Sequence, residues 1–371
     1  MKSRERVLAA FEPGGTTEIA AVASYEGLFL RDHFAEITAL PWWDADRSEL
    51  ARDFFAATGL AWFSVYPCAS REERARRRYE VRGDTVWLID EGTGERRRLQ
   101  KPQPSGVGTS LAQSLHTDLD ALPATEQAID RLVGRPTPFD RARFLAEGRH
   151  DVAAAVRAET ELFLYSSVSS PVWSLYDLFG YEGMMVLLAR DPDLAAYAGR
   201  RLLAHVEQQV KEIAALGADA VWIEECLTDQ ISPRLFERVN LPLVQGVVAA
   251  IRAAGMKSIY YYCGSPHDRL DAILAAGADA VHFEEGKKGF TLDIAEIVAR
   301  VDGRCVVFGN LDAIGVLEQG SDEGLRAEIA RQVAAGWRNG GRFVMSVGSP
   351  ITPGTGVARV RRYAEMVRGE G

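Results

Sequence analysis

Short apolar runs alternate with longer stretches of helical spacing along most of this chain. The runs at 19–23, 60–66, 162–165, 218–223, 257–262, 278–283, 305–308 and 342–347 are rich in β-branched and aromatic residues and read as buried parallel strands. Apolar positions three and four apart predict helices over 52–58, 152–157, 194–216, 233–254, 269–276, 293–301, 323–337 and 357–368. Ser3 is placed to cap an opening helix with Val7, Leu8 and Phe11 on its apolar face, which Gly14-Gly15 stop. Two other stretches break the alternation. Residues 79–99 carry β-type runs separated by Gly83-Asp84 and Gly92-Thr93-Gly94, which are hairpin turn signals. Residues 103–138 are less regular, with helical spacing at 118–122 and 124–132, and read as a lid or an insertion. A Ser-rich turn is expected over 166–171. Strict strand–helix alternation over eight units favours a closed (β/α)8 TIM barrel over an open sheet. The expectation is one barrel domain over 1–371 with an inserted β-hairpin region near 79–99.

One internal echo strengthens that reading. Residues 217–225 and 277–285 both spell G-A-D-A-V-x-x-E-E. In each, Gly ends a helix, Asp turns the chain, and a strand finishes in two acids at its carboxyl end.

Composition narrows the function classes. The chain has 371 residues, 47% hydrophobic and 26% charged, with a formal net charge of -9. A nucleic-acid footprint needs a basic face, so none is expected; the arginine runs at 74–78 and 96–98 read as a solvated surface. The four cysteines are scattered, with no C-x-x-C, as in a reduced cytoplasmic protein. The start, Met1-Lys-Ser-Arg-Glu-Arg, has no apolar signal region, and no apolar run is long enough to span a bilayer.

In a barrel the chemistry gathers where strands end at their carboxyl side. That rule selects Tyr25 and Glu26 after the first strand and Tyr165 on the third. It selects Glu224, Glu225 and Cys226 on the fourth, Tyr261 and Cys263 on the fifth, and His282, Glu284 and Glu285 on the sixth. Asn310 and Asp312 follow the seventh, and Ser349 follows the eighth. Alternation puts Tyr261 and Cys263 on one face and Tyr260 and Tyr262 on the other, and turns one glutamate of each pair inward. Two carboxylates and a thiol can hold zinc or work as acid and base. The loop 348–356, with Gly348, Ser349 and Thr352, has the glycines and hydroxyls to present amides to an anion at a helix N-terminus.

These residues in this order resemble the uroporphyrinogen-decarboxylase-like superfamily. The resemblance runs through Ser3-Arg-Glu-Arg-Val-Leu-Ala-Ala-Phe11, Gly217-Ala-Asp, Glu225, Ile231-Ser-Pro233, Leu241-Pro242 and Tyr262-Cys-Gly264. It continues through Gly309-Asn-Leu-Asp312, Gly340-Gly-Arg-Phe-Val and Gly348-Ser-Pro-Ile-Thr-Pro353. The family contains porphyrinogen decarboxylases and corrinoid-dependent or thiol methyltransferases, all (β/α)8 barrels, and the resemblance implies a homodimer. Decarboxylases carry an R-x-x-G-R segment after strand one, an Asp after strand two and a His in the last loop. Here Ser24-Tyr-Glu-Gly-Leu28, Val65 and Ser349 stand there. The methyltransferases bind zinc through an acid, H-x-C and a final Cys. Here Glu224 or Glu225 and Cys263 match, while Tyr261 and Ser349 replace two ligands.

The leading expectation is a methyltransferase moving a methyl group between a small substrate and a corrinoid protein or pterin. Glu225, Tyr261 and Glu285 are its expected catalytic groups. Tyr25, Glu26, Tyr165, Asn310, Asp312, Gly348, Ser349 and Thr352 are its expected substrate contacts, and Cys263 with Glu224 its zinc ligands if a metal is held. The alternatives are a decarboxylase acting on a porphyrinogen or other carboxylated substrate and a non-catalytic barrel subunit.

Overall fold

The computed structural model describes residues 1–103, 119–286 and 289–369. Eleven strands are present among them. In chain order they are β1 (Ala21–Ala23), β2 (Trp62–Ser64), β3 (Arg77–Arg82), β4 (Thr85–Asp90), β5 (Arg96–Leu99), β6 (Phe163–Ser169), β7 (Ala220–Glu225), β8 (Lys257–Tyr262), β9 (Ala280–Phe283), β10 (Val306–Phe308) and β11 (Phe343–Val347). Eight run parallel in the order β1-β11-β10-β9-β8-β7-β6-β2. The remaining seam, between β1 and β2, is bridged by the Ala61 amide donating to Ala21 O at 2.8 Å and by the Trp62 indole N–H donating to Ala23 O at 3.0 Å. The fold is the expected TIM barrel.

Side chains on these strands go to one of two places. Val22, Trp62, Phe163, Trp222, Tyr261 and Phe308 fill the barrel interior. The helix Ser3–Phe11 plugs the interior, adding Val7, Ala10 and Phe11, with Phe11 stacked on Phe163 at 6.3 Å. The opposite faces of the strands, including Val221, Ile223, Tyr260 and Tyr262, pack against the surrounding helices.

The inserted region is a three-stranded antiparallel sheet, β3-β4-β5, with turns at the two expected glycine clusters. Three details depart from expectation. Strand β6 continues through Ser166–Ser169 instead of turning, because β7 supplies partners from Tyr165↔Ala220 to Ser169↔Glu224. A helix at Ser174–Arg190 escaped the periodicity because Gly180, at φ 66°, kinks it in the middle. The helix expected over 233–254 is broken into Pro233–Leu235, a π-type turn Phe236–Asn240 and the helix Leu241–Ala253. The helical spacing at 124–132 corresponds to Glu126–Val133, while the stretch 104–118 lies outside the described residues. No described helix is long and apolar enough to cross a membrane.

The π-type turn has a chemical partner. Glu225 has the same phase along β7 as Val221 and Ile223, so it faces the helix layer and is fully buried. Its Oε2 accepts from Asn240 Nδ2 at 2.8 Å and from the Tyr260 hydroxyl at 3.1 Å. The expected acid–base pair of Glu225 and Tyr261 is therefore not formed: the two-residue period of the strand sends the two groups to opposite faces. Burial pushes the Glu225 carboxyl up to about 7, against the pull of its hydrogen bonds.

Two outcomes follow from this packing. Trp62→Ala removes one of the two tryptophans of the interior and one of the two seam bonds, and should lower the unfolding free energy by about 3–5 kcal/mol in chemical denaturation. Glu225 ionises later in the fold than in the unfolded chain, so the folded state holds the extra proton between its ordinary value and about 7. Stability from this group is full below that window and is lost as pH rises through it, by about 3 kcal/mol in total. Glu225→Gln should thus gain on the natural protein in unfolding free energy between about pH 5 and about pH 8. A difference that stays flat with pH would remove the buried carboxyl as its cause.

Candidate active site at the barrel mouth

The first turn out of the barrel sets the geometry of the mouth. Ser24 is buried, donating to Val347 O at 2.7 Å and lying 3.2 Å from His282 Nε2. Tyr25 follows in the left-handed region, at φ 52° and ψ 40°, a costly conformation for a residue with a Cβ and one that clusters at functional sites. The turn carries the ring to Trp222 (centroids 4.8 Å apart) and Tyr261 (5.7 Å), and the hydroxyl donates to Glu224 Oε1 at 2.6 Å. Glu26 goes the other way. It is buried, accepting from the Ser64 amide at 2.8 Å and from the Tyr165 hydroxyl.

Glu224 is the inward glutamate of β7, in phase with Trp222, and its register partner on β8 is Tyr261. Burial pushes its carboxyl up, the Tyr25 and Cys226 contacts partly offset this, and nearby Asp177 adds to the rise. Cys226 Sγ lies 3.9 Å from Glu224 Oε1. The neighbouring Cys263, with burial and Glu224 behind it, pushes the Cys226 thiol far up. Burial likewise holds the Tyr25 and Tyr261 hydroxyls protonated, and Tyr261 donates to Gly348 O at 3.1 Å. His282 lies beneath, between Tyr261 and Phe308, and burial pulls it down to about 3, so the ring is neutral.

The other expected contacts sit elsewhere. Glu285 is buried and accepts from Ser349 Oγ at 2.7 Å and from the Ala313 amide at 3.2 Å, which knits three loops together. These two bonds tie it into the loop layer. Asn310 donates to Leu292 O at 3.1 Å, and Asp312 caps the amides of Ile314 and Gly315 at 2.8 and 3.0 Å. Thr352 donates to Glu318 at 2.7 Å. The expected anion cradle in loop 348–356 is thus altered: Ser349 and Thr352 spend their hydroxyl protons on carboxylates, which repel an anion. Gly348 has a steric reason to be glycine, since a Cβ there would come within 2.6 Å of the Glu285 carboxylate and 2.7 Å of its amide nitrogen.

The zinc set implied by the resemblance does not fit these residues. Tyr261 offers a phenol where a ring nitrogen is needed, Ser349 is committed to Glu285, and Glu224 accepts from Tyr25. Among the described residues no group of three or more His, Cys, Asp or Glu side chains is placed to hold a metal ion. What the mouth does offer is a carboxyl–phenol pair, Glu224 and Tyr25, on an aromatic floor with two adjoining thiols. Such a pair can hold a proton and deliver it to a leaving group. Sequence reasoning selected Cys226 by its place at a strand end but did not group it with Trp222 and Glu224. The alternation 222, 224, 226 along one strand was the signal that would have grouped them.

Comparison with known proteins agrees with this architecture. Residues 102–369 match the uroporphyrinogen decarboxylase (URO-D) family. The chain is 25% identical over 275 residues to a uroporphyrinogen decarboxylase of Tolumonas auensis, covering 71% of each protein. It is 23% identical over 160 residues to the methylcobamide:CoM methyltransferase MtbA of Methanosarcina mazei, covering 43% of this chain and 44% of that one. It spans 39% of the length of a chloroplastic uroporphyrinogen decarboxylase of Zea mays, at 30% identity over 162 residues. A solved methyltransferase structure from Methanosarcina mazei superposes over 100% of this chain and 99% of its own, with a TM-score of 0.64 at 16% identity, which speaks for the fold. With the family match spanning most of the chain and the barrel in place, this protein belongs to the uroporphyrinogen decarboxylase family, a divergent member of a superfamily of enzymes.

Proposed function

We propose that this chain is a methyl-transfer enzyme, moving a methyl group from a heteroatom of a small substrate to a corrinoid borne by a partner protein, with Tyr25 and Glu224 supplying the proton. The observation that carries the reading is the 2.6 Å bond from the Tyr25 hydroxyl to Glu224 Oε1 at the mouth. When the methyl group leaves, the heteroatom gains a lone pair and needs a proton. Tyr25 gives it and is refilled by Glu224, whose burial-raised carboxyl keeps a larger protonated share than an exposed glutamate. The strained backbone at Tyr25 fixes the donor, so no reorganisation is spent at the moment of transfer. The corrinoid supplies the nucleophile that accepts the methyl group. Trp222 and Tyr261 form the apolar floor that excludes water behind the transfer.

Decarboxylation is the second reading, favoured by the 25% identical relative from Tolumonas auensis. The same Tyr25–Glu224 pair would then protonate the carbon left after carbon dioxide departs. The departure from the R-x-x-G-R pattern at Ser24-Tyr-Glu-Gly-Leu28 weighs against a polycarboxylate substrate.

Tyr25→Phe and Glu224→Gln should each cut kcat by about 10²–10⁴-fold with little change in KM. The natural protein should lose rate as pH rises through the Glu224 ionisation, and Glu224→Gln should lose that limb. Methylation of an added corrinoid protein, followed by its visible spectrum, reports transfer. Carbon dioxide release without corrinoid methylation would replace the first reading with the second. Undiminished turnover in both variants would remove the pair from either.

A further inference from the structure

Cys226 and Cys263 have no role in the proton delivery described above, and both are partly open to solvent. Strand register brings them together. The last ladder pair of β7 and β8 is Glu225↔Tyr262, and the Cys263 amide continues the ladder by donating to Glu225 O at 2.9 Å. The next pair in register is Cys226 and Cys263, in phase with the inward residues Glu224 and Tyr261. Adjacent strands lie about 4.8 Å apart, inside the span of about 4.4–6.8 Å between Cα atoms that a disulfide needs. Cys263 is the strongest single influence on the Cys226 thiol, as a side-by-side placement requires. Both cysteines stand just past the strand ends, where Leu227 (φ 64°) and Gly264 (φ 122°) turn the chain. The loops behind them are clamped: the Arg269 guanidinium donates to the carbonyls of Thr228 and, at 3.3 Å, Asp229. All four cysteines are free thiols in this structure, and Cys68 and Cys305 are buried apart from this pair.

We propose that Cys226 and Cys263 are a dithiol modification site that closes to an intramolecular disulfide across the barrel mouth when met by a small-molecule disulfide. The Cys263 thiol, losing its proton, attacks the small disulfide and releases one small thiol, leaving a mixed disulfide. The second thiol displaces the other small thiol and the protein S–S bond forms. Two protein thiols are oxidised and one external disulfide is reduced to two thiols, so no further reagent is required. The bond joins the residues that follow Glu225 and Tyr262, and so staples the rim beside the Tyr25–Glu224 pair. It stands whichever reaction the mouth carries out.

The test uses the intact folded chain incubated with glutathione disulfide, then alkylated in denaturant, digested and read by mass spectrometry. The expected result is loss of two of the four alkylatable thiols and a cross-linked peptide pair containing Cys226 and Cys263, both restored by a reductant. Cys226→Ser and Cys263→Ser should each trap a glutathione adduct on the remaining thiol. Full alkylation of both thiols in the natural protein would overturn the proposal. So would separate glutathione adducts on each, or a reduced protein that carries one equivalent of zinc on the pair and oxidises only after chelation.

Discussion

A strand in a closed barrel has two destinations for its side chains and no third, and the chemistry of this protein depends on that restriction. Along β7 the aliphatic residues Val221 and Ile223 are drawn to the helix layer, where apolar surface is removed from water on both sides. That fixes the phase. Trp222 and Glu224 must go inward, and Glu225 must go outward with the aliphatics. The same logic on β8 separates Tyr261 from Tyr260 and Tyr262. Neighbouring residues in sequence, even two identical glutamates, therefore live in different chemical settings.

Several buried carboxylates at the carboxyl ends of the strands and in the loops after them accept from neutral donors. Glu26 takes an amide and a phenol, Glu224 a phenol, Glu225 an amide side chain and a phenol, and Glu285 a hydroxyl and an amide. Neutral donors meet the directional demand of a carboxylate without cancelling its charge. Burial then dominates, and Glu26, Glu224 and Glu225 all ionise later than they would in water. The mouth is thereby biased toward holding protons, where an arginine-lined mouth would be biased toward holding anions.

The architecture was open to reading because its signals are local and repeated. β-branched runs at regular intervals, glycine at helix ends and the twin G-A-D-A-V-x-x-E-E segments each point to the same βα unit. The insertion was legible too, from its glycine turns. The site was legible only as a neighbourhood. Tyr25, Tyr261, Cys263 and Glu224 were picked by position at strand ends, and the structure brings them together. The choice of Glu225 over Glu224 failed because motif matching has no phase, while the aliphatics at 221 and 223 do. The bonds of Asn310, Ser349 and Thr352 involve partners across several loops, and no local pattern encodes those. Nor does any local pattern encode the left-handed turn at Tyr25, a position without the glycine that usually marks one.

The neighbour of β1 in the ladder is β11, with Ala21 opposite Met345. The first strand of the ring therefore finds its main partner only when the last strand of the ring has been made. Until then its backbone groups along one edge, and the apolar helix Ser3–Phe11 beside it, have no completed cavity to enter. Until β11 is made the ring keeps an unzipped edge, so the last strand of the barrel decides when the first one is protected.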